Sequence, residues 1–235
     1  MTKKIFFILP FLALAFLTSC GARRTTPPTA DPFTTDPGVT INGITWATRN
    51  VDAPGTFAAN PESAGMFFQW NRPYGWRATF HYTDIYVFFD NWNAYIRVPT
   101  QRWNPTIGWE NVSWDSSIPE GTKWYAENDP CPEGWRVPTE DELRSLLNVG
   151  IEWTRINGRN GRLYGTAPYQ IFLPASNWRN SNGTLGGGDV WGNYWSSTQS
   201  NHERRAWVFG FSNPHIYAGS DWRCRGMSVR CVKIN

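Results

Sequence analysis

The chain has 235 residues and a formal net charge of +3 at pH 7; 40% of its residues are hydrophobic and 17% are charged. Its 15 Trp, 14 Phe and 9 Tyr residues exclude intrinsic disorder for the bulk of the chain, and 21 Gly with 17 Pro argue against a helical bundle. The charge is close to zero once Lys3 and Lys4 are set aside, so the chain lacks the basic surface on which nucleic-acid binding depends. We therefore expect no nucleic-acid partner.

The first twenty residues have the pattern of a lipoprotein signal peptide. Two lysines precede an apolar run at residues 5–17, which is shorter than the roughly 20 residues that a membrane-spanning helix needs. The run ends in LTSC at residues 17–20, which resembles a bacterial lipobox and implies that Cys20 is lipidated and becomes the mature N-terminus. The alternative is ordinary cleavage nearby, which leaves Cys20 as a free thiol.

These features predict the domain organisation and the location. We expect a signal peptide at 1–19, the lipidated Cys and a Thr- and Pro-rich tether at 20–37, and a single domain at 38–235, where the composition does not break. A lipid on Cys20 would hold the protein on a membrane of the cell envelope. We favour the outer membrane, although the sequence after Cys20 has no acidic run that would decide the membrane face.

Most predicted elements of the domain are strands. Residues 39–46 alternate apolar and polar side chains about Asn42-Gly43, a pair that favours a type I′ turn, so we predict a hairpin there. A strand that runs into a loop is predicted at 170–178. Further strands are predicted from apolar runs, at 85–89, 95–98, 194–198, 206–211 and 227–233.

One helix is predicted, at residues 140–148. Thr139 is a suitable N-cap, and Glu142 completes a capping box three residues later. The three carboxylates at the start of the helix suit the positive end of its dipole, so we assign them to capping rather than to catalysis. An apolar stripe at Leu143, Leu146 and Leu147 is expected to pack on a sheet.

Four motifs together resemble one family. They are INGITWATRNV at 41–51, CPEGWRVPT at 131–139, YWSS at 194–197 and SVRCV at 228–232. Their order resembles the Fibrobacter succinogenes major paralogous domain (FISUMP), which is common in envelope lipoproteins and is similar to the C-type lectin-like group that includes formylglycine-generating-type domains. The resemblance implies an α+β, C-type lectin-like fold with a loop-rich mixed sheet and one or two short helices. It implies no settled reaction.

The resemblance also implies a disulfide. An oxidising envelope favours disulfide formation, and Cys131, Cys224 and Cys231 remain after Cys20 is lipidated. In a lectin-like fold the start of the helix and the final strand are neighbours, which implies the pair Cys131–Cys231 and leaves Cys224 unpaired. The alternative is a Cys224–Cys231 pair that closes a small loop.

Catalytic and metal sites are not predicted. The cysteines and the three histidines, at 81, 202 and 215, fit no metal-binding spacing, so we expect no metal and no cofactor. An enzyme of the formylglycine-generating type would need copper on Cys224 and Cys231, and the Cys131–Cys231 pair would consume one of these ligands. We predict no catalytic residues and a non-enzymatic, adhesin-like module for an unknown protein or glycan ligand.

The ligand-binding surface is predicted within residues 200–225. Alternation along the strand predicts Trp207, Phe209 and Phe211 in the core and Val208 and Gly210 outward. The scatter of polar residues resembles the variable region of diversity-generating-retroelement proteins, in which Cys224 would be a chance product; the alternative is an ordinary surface strand and loop. The candidate ligand-binding residues are His202, Arg204, Arg205, Val208, Gly210, Ser212, Asn213, His215, Tyr217, Asp221, Trp222, Arg223 and Arg225.

A second hypothesis is a carbohydrate-binding lipoprotein. Tryptophans in loops can stack on the apolar face of a sugar ring, and the candidates are Trp103, Trp109, Trp114 and Trp178. The alternative is that these side chains fill the interior of a loop-rich domain.

Overall fold

The computed structural model describes residues 31–78, 100–104 and 108–234. This part of the chain contains one short α-helix, α1 (Glu140–Ser145), and two 3₁₀ turns, at Ala126–Asn128 and Leu146–Asn148. Its strands are, in chain order, β1 (Val39–Ile41), β2 (Ile44–Trp46), β3 (Met66–Gln69), β4 (Gly75–Arg77), β5 (Thr100–Asn104), β6 (Gly108–Val112), β7 (Trp135–Arg136), β8 (Ile151–Ile156), β9 (Arg159–Thr166), β10 (Tyr169–Pro174), β11 (Trp178–Arg179), β12 (Leu185–Gly186), β13 (Gly192–Gln199), β14 (Arg205–Phe211), β15 (Ile216–Trp222), β16 (Gly226–Met227) and β17 (Val232–Lys233).

The strands form four sheets, and every paired strand in the described ranges is antiparallel to its neighbour. The strand orders are β1-β2-β17-β7, β10-β9-β8, β12-β11-β16-β3-β4-β5-β6 and β13-β14-β15. Parallel pairing is confined to two isolated bridges, Asn177 with Gly192 and Tyr194 with Ser228. The predicted α+β, C-type lectin-like fold with a mixed sheet is therefore wrong: the described chain is mostly antiparallel β, with a single six-residue α-helix.

Two local predictions are confirmed. The β1–β2 hairpin turns through Asn42 and Gly43, whose φ angles of 50° and 78° are those that a type I′ turn requires. At α1 the Thr139 hydroxyl accepts the Glu142 N–H (3.3 Å), and the Glu142 carboxylate accepts the Thr139 N–H (2.7 Å). The turn and the helix cap, which depend on residues close together in the chain, were thus predicted correctly from the sequence.

The helix is shorter than predicted, and this changes which leucines are buried. It gives way to the 3₁₀ turn at Leu146–Asn148, so the side-chain period is no longer 3.6 residues. Leu143 and Leu146 are buried, whereas Leu147 is 38% exposed. The predicted apolar stripe therefore holds for two of its three members.

The predicted last strand at 227–233 is present only at its two ends, as β16 and β17, because the chain between them crosses from one sheet to another. β16 pairs with β3, whereas β17 pairs with β2 and β7. Between them the fully buried Arg230 donates to Asn50 Oδ1 and to the carbonyls of Ala47 and Phe172. The backbone of this segment bonds to two other segments: the Val51 N–H donates to the Val229 carbonyl, and the Ser228 N–H donates to the Asn193 carbonyl.

Two apolar clusters cover the two faces of the β13-β14-β15 sheet. One cluster contains Trp195 and Val208, together with Phe68 and Met227 from the large sheet. The other contains Phe209 and Phe211, together with residues of α1 and of the β10-β9-β8 sheet. Because both faces are covered, β14 is buried on both sides over most of its length.

Several predictions concern residues outside the described ranges. The signal peptide, Cys20 and most of the tether precede residue 31, and the predicted strands at 85–89 and 95–98 lie in the gap at 79–99. Among the described residues, no helix is long and apolar enough to cross a membrane.

Candidate ligand-binding cleft

The candidate site is built on one row of residues across the three-stranded sheet. Asn193 on β13 is opposite Gly210 on β14, and Gly210 is opposite Tyr217 on β15. Residues in register share a face of a sheet, so these three lie on the same side. Their chain neighbours Tyr194, Phe209 and Ala218 form the next row and lie on the other side.

Gly210 allows the side chain of Tyr217 to lie flat across the sheet. A Cβ at position 210 would overlap the far end of the Tyr217 ring and its hydroxyl. With glycine there, the ring crosses β14, and its hydroxyl donates to Asn193 Oδ1 (2.5 Å). Burial raises the pKa of Tyr217 to about 12, and the Asp221 carboxylate acts in the same direction. The phenol is therefore a fixed, neutral group at physiological pH.

Tyr217 forms one wall of a cleft of about 280 Å³. The Trp191 and Tyr217 rings meet edge to face, with centroids 6.5 Å apart and planes at 62°. Seven residues from β11, β13, β15 and the adjoining turns line the cleft: Trp178, Trp191, Asn193, His215, Tyr217, Asp221 and Arg225.

The third aromatic wall, Trp178, is held by glycine backbone. A Cβ on Gly186 would lie 2.9 Å from the Trp178 ring, and one on Gly187 would lie 2.8 Å from it. The Trp178 indole N–H donates to Asn180 Oδ1 (2.8 Å). The backbone of Gly186 and Gly187 therefore packs against this ring, which also lines the cleft and packs against the first apolar cluster.

Two side chains of opposite charge in the cleft, Arg225 and Asp221, neutralise each other. Arg225 Nη1 lies 2.6 Å from Asp221 Oδ2, and the two side chains are 31% and 24% exposed. The Arg225 N–H donates to the Trp222 carbonyl (2.9 Å) and closes a turn. This turn places the Arg225 guanidinium beside Asp221. The cleft thus presents aromatic faces and paired polar groups with little net charge.

Four of the thirteen predicted ligand-binding residues line this cleft: His215, Tyr217, Asp221 and Arg225. Asn213 is exposed in the β14–β15 turn but does not line it.

A second group lies on the opposite face of β15. The Trp222 ring is 5.6 Å from that of His202 and 4.8 Å from the guanidinium carbon of Arg205, and Arg204 is 5.8 Å away. Trp222 and Asp221 are consecutive in a strand, so their side chains point to opposite faces. The predicted set is therefore divided between two surfaces.

The remaining predicted residues are buried, which corrects their assignment to a ligand surface. Val208 is 3% exposed because the first apolar cluster covers it, and Gly210 is covered by the Tyr217 ring. Ser212 is 5% exposed, and its carbonyl accepts from Arg162. The prediction that Val208 points to solvent is wrong because β14 is the central strand of a sheet covered on both sides.

Arg223 is also a buried structural residue rather than a surface anchor. It is 2% exposed, and it donates to the carbonyls of Arg205, Pro119 and Gly121. Its guanidinium carbon lies 4.3 Å from the Trp70 ring centroid. Burial lowers the pKa of Arg223, with Glu203 acting against this shift.

Two residues that line the cleft, Trp191 and Asn193, are not among those predicted from the sequence. The signal for Asn193 was present: extending the predicted strand 194–198 back by one residue would have placed Asn193 on the same face as Trp195. Nothing in the local sequence marks Trp191, because the cleft depends on non-local strand pairing.

Of the sugar-stacking candidates whose side chains the structure describes, Trp178 alone lines the cleft. Trp178 belongs to β11 rather than to a loop, and Trp114 is buried, at 3% exposure. Trp103 lies on β5 and packs against the first apolar cluster. Trp109 belongs to β6, and its side chain is outside the described part.

The disulfide prediction is confirmed, since the structure joins Cys131 to Cys231. Cys224 is a free, buried thiol. Within the described ranges no group of three or more His, Cys, Asp and Glu side chains could hold a metal ion.

The fold and the cleft define a disulfide-bonded, antiparallel β domain with an aromatic-walled site on one sheet. The chain belongs to the Lcl C-terminal domain family, whose model matches residues 40–233. Comparisons with curated proteins and with solved structures gave no match.

Proposed function

We propose that this protein is a non-enzymatic, adhesin-like module of the cell envelope that binds its ligand in the cleft between Trp178, Trp191 and Tyr217. The lipid on Cys20 would anchor it, and the tether would hold the domain away from the membrane surface. The observation that carries the proposal is the cleft itself, where three partly exposed aromatic rings converge on paired polar side chains. Aromatic side chains in concave sites supply most of the binding energy at many interfaces.

The aromatic walls support binding because they are fixed before the ligand arrives. Tyr217 is held by the Asn193 hydrogen bond, and Trp178 by the Asn180 bond and the Gly186–Gly187 backbone. Ordering a free side chain costs about 0.5–1.5 kcal/mol on binding, and fixed side chains avoid that cost. Scattered surface aromatics would lack this advantage.

We restrict the proposed binding surface to the residues that line the cleft. It keeps the predicted residues His215, Tyr217, Asp221 and Arg225 and adds Trp178, Trp191 and Asn193.

The resemblance to the FISUMP domain and to the variable proteins of diversity-generating retroelements stays a prediction. Val208, Gly210 and Arg223 are buried, so a retroelement could vary only the exposed residues of 200–225 without destabilising the fold. A reverse transcriptase gene beside a near-copy of the 3′ end of this gene would support it.

The proposal is tested with variants in the cleft and on the opposite face of β15. The full-length protein is purified from membranes, labelled, and applied to an array of glycans and purified cell-surface glycoproteins. Trp191→Ala and Tyr217→Ala should each weaken binding at least about tenfold, as expected for a central aromatic anchor. The matched control Trp222→Ala, on the other face of the same strand, should leave it unchanged. The reverse pattern would place the ligand on the His202–Trp222 face and overturn the proposal.

A further inference from the structure

The volume of the cleft limits its ligand to a small group. It measures about 280 Å³, just below the roughly 300–1,000 Å³ of pockets that take drug-sized molecules. A helix or a folded partner would not fit inside it. One small unit of a larger molecule would fit, such as a single residue of a polymer.

The walls of the cleft suit a ligand with one apolar side and one hydroxyl-rich side. Trp191 and Tyr217 form an aromatic corner, and Trp178 adds a third ring. The negative faces of aromatic rings attract polarised C–H groups. A pyranose ring offers such C–H groups on one side and hydroxyls around its edge.

The polar groups of the cleft mix donors with acceptors. Within the described residues, Asn193 Nδ2 and Arg225 Nη2 make no hydrogen bond, whereas the Asn193 and Asp221 oxygens each accept one or more. The Tyr217 hydroxyl uses its proton on Asn193 and keeps its lone pairs. Adjacent sugar hydroxyls donate and accept at once, so they can satisfy a set of this kind.

The charges of the cleft argue against an anionic ligand. Arg225 is neutralised by Asp221 at 2.6 Å, so it offers little free positive charge to a sulfate or a carboxylate. The two arginines near Trp222, exposed Arg204 and half-buried Arg205, lie on the opposite face of β15. A sulfated or sialylated glycan would be attracted to that face rather than to the cleft.

We infer that the cleft binds an uncharged pyranose unit of a glycan, with the C–H face of the sugar on the aromatic corner and adjacent hydroxyls on Asn193, Asp221 and Arg225. The inference rests on the proposed function and names the chemical class of its ligand. It also makes binding insensitive to salt, because no ion pair forms between protein and ligand.

The experiment uses the full-length chain in a detergent without a sugar headgroup, since a glucoside or maltoside headgroup would compete for the cleft. The probes are neutral, sialylated and sulfated glycans on one array. We expect binding of neutral glycans that changes less than about twofold between 50 and 500 mM NaCl. Asp221→Asn, which keeps the side-chain shape and removes the charge, should weaken it at least about tenfold, because a charge-assisted acceptor is lost. Trp222→Ala is the control.

The possible outcomes separate this inference from the proposed function. Binding of sulfated or sialylated glycans alone, with steep salt dependence, overturns the inference, and loss of that binding in Arg204→Ala would assign it to the other face. Binding to glycoproteins that needs Tyr217 but survives periodate, which cleaves vicinal diols, also overturns the inference while the proposed function stands. If Trp191→Ala and Tyr217→Ala still bind neutral glycans as the wild type does, the proposed site is overturned. The absence of any neutral-glycan binding overturns the inference.

Discussion

Gly210→Ala should dislodge Tyr217 from the sheet and open the cleft. The new Cβ would overlap the Tyr217 ring, so the ring has to move and its hydrogen bond to Asn193 is lost. Gly210 is not among the glycines with positive φ, so the backbone itself accepts Ala. The effect therefore comes from the ring alone.

The expected change in the free energy of unfolding follows from two destabilising effects and one stabilising effect. Overpacking costs about 1–3 kcal/mol, with the low end applying here because Tyr217 is 40% exposed and has room to move. The lost hydrogen bond costs about 1 kcal/mol, and the stiffer unfolded chain returns about 0.4–1 kcal/mol. We expect a net loss of about 1–2 kcal/mol in the free energy of unfolding, which for a chain of this size lowers Tm by roughly 2–8 °C.

The assay is urea unfolding of four proteins: wild type, Gly210→Ala, Tyr217→Ala and the double variant. Without the Tyr217 ring only the gain from the stiffer unfolded chain remains, so Ala at 210 should stabilise by about 0.4–1 kcal/mol. The cycle should therefore give a coupling energy of about 2 kcal/mol, the sum of the overpacking and hydrogen-bond costs. Gly219→Ala is the matched control, since its Cβ would meet only Tyr217 Cδ2, at an ordinary 3.6 Å. Additive effects of Gly210→Ala and Tyr217→Ala would refute the packing described for this row.

Four further results are expected. Cys131→Ser should lower the free energy of unfolding by about 4 kcal/mol, because the bridge spans 100 residues. Cys224→Ala, which breaks no bridge and buries no new polar group, should cost only about 1 kcal/mol in the same denaturation assay. Arg230→Met should lower the free energy of unfolding by about 3 kcal/mol or more, because buried oxygens of Ala47, Asn50 and Phe172 lose their hydrogen-bond donor. Arg155→Met, at an exposed position, is the control, and equal effects of the two substitutions would contradict this expectation. The pKa of Tyr217 is raised to about 12 in the folded protein, from about 10 in the unfolded chain. The neutral phenol therefore contributes folding stability that is complete below about pH 10 and is lost as the pH rises towards about 12. Measurements of Tm against pH should show that part of this loss disappears in Tyr217→Phe. Cys20→Ala should move the protein from the membrane fraction to the soluble fraction and abolish labelling with a radioactive fatty acid; unchanged membrane association would contradict the lipid anchor.

The features that could be predicted from the sequence are those set by near neighbours in the chain. The Asn42-Gly43 turn and the Thr139–Glu142 capping box each depend on residues a few positions apart, and both are present. The Cys131–Cys231 bridge was implied by a family resemblance, and it holds although the sheet architecture implied by the same resemblance does not.

The features that could not be predicted depend on pairing between distant strands. Alternation along β14 distinguishes its two faces, but it does not show that both are covered, so Val208 was misplaced. Arg223 and Arg230 look like surface cations in the sequence, yet carbonyls from distant segments surround their guanidinium groups. The cleft likewise exists only because β11, β13 and β15 are brought together.

The most direct test of the central claim is an NMR titration of the full-length chain with a neutral glycan selected on the array, observed through the indole N–H signals. Trp178, Trp191 and Trp222 would be assigned by single Trp→Phe substitutions. Binding in the cleft predicts that the Trp178 and Trp191 signals shift with a common saturation curve, while the Trp222 signal, on the other face of β15, stays in place. A shift of Trp222 without Trp178 and Trp191 would contradict the account.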